Sequence, residues 1–86
     1  RPSRPSKHPK GPTMIIATEK LPATDDIGVR VIATADGGYR EVELWDYNTD
    51  VETNHRRAAE RVAKEGELQH IGTGEDFHLY RWYPAN

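Results

Sequence analysis

Apolar residues recur along this chain in two rhythms, one of about 3.6 residues and one of two. The first occupies residues 49–66, where Val51, His55, Ala58, Ala59 and Val62 fall at i, i+4, i+7, i+8 and i+11 and leave Arg57, Arg61 and Lys64 on the opposite side. That stripe predicts one amphipathic helix. Thr49 followed three residues later by Glu52 has the spacing of a capping box, and Gly66 suits the left-handed position that closes a helix. Ala58, Ala59 and Ala63 bring the helix backbone close to whatever it covers. A broad, flat partner is expected, and a β-sheet is one.

The two-residue rhythm predicts the sheet. Residues 14–20 read as a first strand, ended by Pro22, which lacks the N–H a ladder requires. Residues 27–35 alternate, Asp36-Gly37-Gly38 signals a two-residue primed turn, and residues 39–47 read as the return strand. Such a turn places Val29, Val31 and Ala33 on one face with Val42 and Leu44. It places Arg30, Ile32 and Thr34 on the other with Glu41, Glu43 and Trp45. Trp45 and Tyr47 beside Arg30 would then form either a half-buried cation–π cluster or an open aromatic binding surface. Beyond the helix, residues 67–71 and 77–83 read as a second hairpin around a turn-rich loop. Phe77, Leu79 and Tyr83 make one row and His78, Tyr80 and Trp82 the other, so whichever row faces out, Tyr80 and Trp82 included, is a candidate contact. The expected fold is α+β: an N-terminal strand and a hairpin, the helix, then a second hairpin, with the helix on one face of an antiparallel sheet.

Composition modifies this picture at the N-terminus. Residues 1–13 hold four prolines, Arg1, Arg4, Lys7 and Lys10, no acid and no large apolar side chain, which predicts a disordered basic tail before a single domain of residues 14–86. Met14 reads as a natural start. The chain has 12 basic and 14 acidic residues, so setting the four tail cations aside leaves eight basic against fourteen acidic side chains, a charge of −6 for the domain. An acidic domain argues against polyanion binding by the fold itself. No disulfide or thiolate site exists in a chain without cysteine. No run reaches the ~18 apolar residues of a membrane span, and no signal peptide is visible, so a soluble cytoplasmic protein is expected. With 35% apolar residues in so short a chain the core must be thin, and self-association is one remedy.

Candidate chemistry is sparse. His55, His70 and His78 lie in ordered segments, but the helix offers no second histidine one turn from His55 and no His-Glu-x-x-His pattern, so no metal site is expected. His55 reads as a core-edge residue bonded to a neighbour, and Asn54-His55 alternatively as polar groups offered to a ligand from the first helical turn. Gly72-Thr73-Gly74 has no helix after it and carries Glu75-Asp76, so it reads as a turn and not as a phosphate loop. Serine is absent outside the tail, and no pair of carboxylates has an arguable buried setting. Neither an enzyme nor a cofactor is expected.

Leu21-Pro22-Ala23-Thr24, then Gly28-Val29-Arg30, then Asn54-His55 ahead of Ala58-Ala59, resembles short proteins encoded by bacteriophages and other mobile elements. The resemblance implies a small accessory protein acting in a bacterial or infected host cell, and it assigns no catalytic residue. Together these readings favour a non-enzymatic protein that binds another protein, as an inhibitor or modulator, with a homodimer as one form of association. The alternative is a nucleic-acid-binding accessory protein that uses the basic tail and an aromatic sheet face. The candidate binding residues are Arg30, Trp45, Tyr47, Asn54, His55, Tyr80 and Trp82.

Overall fold

Six elements follow one another in the computed structural model, which describes residues 13–63 and 65–84. They are β1 (Met14–Leu21), β2 (Arg30–Ala35), β3 (Arg40–Leu44), α1 (Val51–Val62), β4 (Gly66–Thr73) and β5 (Phe77–Pro84). The five strands form one antiparallel sheet in the order β3-β2-β1-β5-β4, so the two hairpins flank the N-terminal strand. The α+β reading and its element order hold. All of the expected tail except Thr13 lies outside the described residues.

The helix packs chiefly over β2 and β3 and then over β1. It presents Asn54, His55, Ala58, Ala59 and Val62, all buried, and they meet Ile16, Thr18, Val31, Ala33, Ala35, His78 and Tyr80 from the sheet. Alanine against alanine sets the close helix–sheet spacing that the sequence implied. Val51, expected on the buried stripe, is exposed in the first turn, because the stripe passes through Asn54 instead. The helix also begins and ends differently from the sequence reading. Asp50, and not Thr49, is the N-cap, its Oδ1 accepting from the Thr53 N–H at 2.7 Å. A carboxylate there satisfies a free N–H and lies at the positive end of the helix dipole, so the Asp50–Thr53 spacing displaces a Thr49–Glu52 box. At the other end the Ala63 N–H bonds the Ala59 carbonyl at 2.8 Å and the chain turns extended, while Gly66, at φ +149°, opens β4. A side chain on Gly66 would run into the Tyr83 carbonyl and the Trp82 indole, so glycine is needed there for close approach and backbone angle, not to close a helix.

The first hairpin overturns the expected register. Ala35 and Tyr39 close a three-residue loop, the Ala35 N–H bonding the Tyr39 carbonyl at 2.8 Å, with Gly37 and Gly38 both at positive φ. One added loop residue reverses the parity of the return strand. Ile32 therefore pairs with Val42 and Arg30 with Leu44, on the face away from the helix, while Val31 pairs with Glu43 and Ala33 with Glu41 on the helix side. Carboxylates are tolerated there because β3 is an edge strand, and Arg61 of the helix reaches both Glu41 and Glu43 at 3.4 Å. These pairs are exposed and worth ~1 kcal/mol or less each. The strands are also trimmed: β2 begins at Arg30, leaving Ile27 exposed in a loop, and β3 ends at Leu44.

In the second hairpin His78 and Tyr80 are buried and Trp82 is partly buried, which settles that row as the inner one. Gly72 and Thr73 belong to β4, with the register shifting between His70 and Gly72. That bulge places His70 and Thr73 on the same side of the strand, their Nε2 and Oγ1 atoms 2.9 Å apart.

Candidate functional site

Two features stand out once the side chains are in place: a histidine stack under the helix and an apolar face on the other side of the sheet. The stack begins at His55, whose ring lies against that of His78, centroids 4.1 Å apart. His70 stacks on the far side of His78 at 4.9 Å, Tyr80 lies 5.1 Å from His70, and Trp45 meets His55 edge-on at 6.1 Å. The Thr18 hydroxyl donates to the His78 carbonyl at 3.3 Å, which leaves the His55 Nδ1–H to donate to Thr18 Oγ1 at 2.7 Å. His78 Nδ1 is 3.0 Å from His70 Nε2, and His70 Nδ1 lies 3.7 Å from a Glu52 carboxylate oxygen.

Burial first, and then the nearby charges of His78 and Lys20, push the His55 imidazole down to about 4. His78 is lowered too, by burial and then by His70. Thr18 and His55 are both fully enclosed, and with its Nδ1–H donating to the hydroxyl the imidazole is not placed to take the hydroxyl proton. The three histidines that the sequence scatters are thus brought together as rings in a stack. Among the described residues no group of three or more histidines or carboxylates is arranged to hold a metal ion.

The candidate residues are not gathered on one surface. Asn54 is buried and tied to the backbone: its Oδ1 accepts from the Asp46 N–H at 2.7 Å, and its Nδ2 donates to the carbonyls of Asp46 and Asp50 at 2.9 and 3.0 Å. His55 and Tyr80 are enclosed. The Tyr80 hydroxyl and the Trp82 indole nitrogen lie buried without a hydrogen-bond partner among the described residues. Trp45 does not share a face with Arg30. It turns to the helix side, where Lys20 Nζ lies 4.3 Å from its ring centroid, so the cation–π partner is Lys20. Arg30 is on the outer face, its Nη1 donating to the carbonyls of Pro22 at 3.1 Å and Gly28 at 3.5 Å. Tyr47 stands exposed in the turn after β3.

The outer face carries what the register reversal moved there. Ile32, Val42 and Leu44 stand on β2 and β3, with Leu79 and Phe77 across the sheet on β5. Leu44 is 67% exposed, and Val42 and Phe77 are each 44% exposed. Sequence reasoning missed this group because it took the loop as two residues. A three-residue loop over the same Asp-Gly-Gly, tested against Arg61 facing Glu41 and Glu43, gives the observed pairing.

Comparison with protein-family models, curated proteins and solved structures gives no match for the chain. Among the described residues no helix is long and apolar enough to cross a membrane.

Proposed function

We propose that the protein acts by binding another protein through the outer face of its sheet. The observation that carries this reading is the group Ile32, Val42, Leu44, Phe77 and Leu79 on the face that, among the described residues, no helix covers. A single-sided antiparallel sheet ordinarily alternates apolar inward and polar outward. Here the inner face has Ala33 and Ala35 beside Ile16 and Val31 under the helix, while Ile32, Val42 and Leu44 point the other way. Exposed apolar groups on small proteins mark interaction sites, and here Ile32, Val42 and Leu44 adjoin on β2 and β3, with Glu19 of β1 between Ile32 and Phe77. Inhibition or modulation of that partner is the form of activity that fits so small a chain.

Nucleic-acid binding is the second reading, favoured by Arg30, Arg40 and Arg81 on the same face. The test is capture from bacterial lysate on the immobilised protein, with and without nuclease, comparing the wild type with a Val42→Asp/Leu44→Asp variant shown to be folded by circular dichroism. Protein capture that resists nuclease and salt and disappears in the variant supports the proposal. Capture that nuclease or added salt abolishes transfers the face to the second reading.

A further inference from the structure

We infer that a second copy of this chain closes the outer face, sheet against sheet, about a two-fold axis that crosses the Ala17–Leu79 pair at right angles to the strands. The inference rests on the reading of that face as a protein interface and names its partner.

Extent is the first argument. Five strands at about 4.8 Å and some six residues at about 3.4 Å give a face of roughly 24 by 20 Å, or about 480 Å² in projection. Side-chain relief adds to this, giving the scale of a small interface beside the ~800 Å² that each partner gives to a standard one. Shape is the second. Ala17, on the central strand and exposed, is paired with Thr34 on one side and Leu79 on the other, so the middle of the face is low and another sheet can approach closely.

Charge is the third and fixes the axis. Glu19 pairs with Phe77 on one side of the Ala17–Leu79 row, and Ile15 pairs with Arg81 on the other. Glu19 and Arg81 thus lie on neighbouring strands, one row above and one row below the same centre. Within one chain they are four residues apart along the strand direction, about 13 Å and too far for an ion pair. A two-fold axis through the centre exchanges the two rows. It sets each Glu19 beside the partner copy's Arg81, and that guanidinium over Phe77. Glu19 and Arg81 each gain an opposite charge, which a buried ionised group requires. Arg40, in the same row as Ala17 but on the edge strand β3, meets the partner copy's Arg40 at the rim of the contact, where its guanidinium stays in water. An isologous contact makes the arrangement twice over.

The geometry dictates a specific pattern of loss and rescue, read by sedimentation equilibrium on the full chain. The wild type should form a dimer. Glu19→Arg places two arginines at each contact, and Arg81→Glu places two carboxylates there, so each variant alone should dissociate with a Kd raised at least about tenfold. An equal mixture of the two variants should dimerise again, because both contacts in the mixed pair join an arginine to a glutamate. Glu19 and Arg81 are exposed, and recovery in the mixture shows that each variant is folded. A monomeric wild type, dimers indifferent to both single changes, or a mixture that stays monomeric each overturn the inference. A monomeric wild type that still captures a lysate protein through Val42 and Leu44 overturns the second copy alone. Neither dimer nor capture overturns the interface reading as well.

Discussion

The ring of His55, on the helix, stacks on that of His78, on β5, with centroids 4.1 Å apart and planes 23° from parallel. The contact joins the two layers of the fold at a point enclosed by Thr18, Trp45, His70 and Tyr80, with Lys20 close enough to lower His55 further. An imidazolium in that place is poorly solvated and has a second imidazole against its face. The carboxylates of Asp76, acting on His55, and Glu52, acting on His78, offset this only in part.

Stability should therefore depend on pH in a window set by His55. Its value is about 6.5 when unfolded and about 4 when folded, so between these the unfolded chain binds more protons. The stabilisation is complete above 6.5 and is lost as pH falls towards 4, by on the order of 2–3 kcal/mol, with the lowered His78 acting in the same direction. Asp46, held down by the Arg57 guanidinium, and Asp50, held down by Thr53, lose their contributions only below the ordinary carboxylate range. Urea melts across the window measure the slope. His55→Gln should flatten it, and an unchanged slope would show that His55 is not the titrating group.

Asp50→Ala should cost about 1 kcal/mol, and Thr49→Ala a few tenths at most, because only Asp50 satisfies a helical N–H. Paired denaturant melts decide it. A Thr49→Ala change as costly as Asp50→Ala would place the cap one residue earlier.

Asn54→Ala should be among the more damaging polar substitutions, at about 2–3 kcal/mol, since it leaves the Asp46 N–H without its buried acceptor and frees two carbonyls. The Asn54 side chain pins the loop between β3 and α1, so the loss should show first as faster amide exchange at Asp46. Exchange there that matches the wild type would assign that loop to other contacts.

Element order was legible in the sequence because period alone distinguishes the helix from the strands. Face assignment was not, because it hangs on one residue of loop length. Asp36-Gly37-Gly38 fits a turn of two or of three residues, and the difference moves Val42, Leu44 and Trp45 to opposite sides of the sheet. The second hairpin offered two apolar rows, and only the histidine-bearing one fits beneath His55. The histidine stack itself was out of reach, since it joins residues 55, 70 and 78 through a β5–β4 register that a bulge shifts. Asn54 was read as a residue offered to a ligand because sequence cannot show that the Asp46 backbone folds back onto it.

Tyr80 offers a test of how dry the inner layer is. Its side chain is fully enclosed, its hydroxyl has no hydrogen-bond partner among the described residues, and burial, with Glu52 second, pushes its ionisation up to about 12. A phenol hydroxyl taken from water without a new partner costs roughly 1–3 kcal/mol, whereas the ring's burial is favourable either way. Tyr80→Phe should therefore leave the ring contact with His70 in place and raise stability by about 1 kcal/mol, against the usual direction for a core substitution. Tyr80→Ala should instead cost at least about 3 kcal/mol, through the cavity it opens. Denaturant midpoints of the two variants settle the matter. A Tyr80→Phe protein less stable than the wild type by more than about 1 kcal/mol would mean that the hydroxyl holds a hydrogen bond at the heart of the sheet, and that the layer beneath the helix admits water.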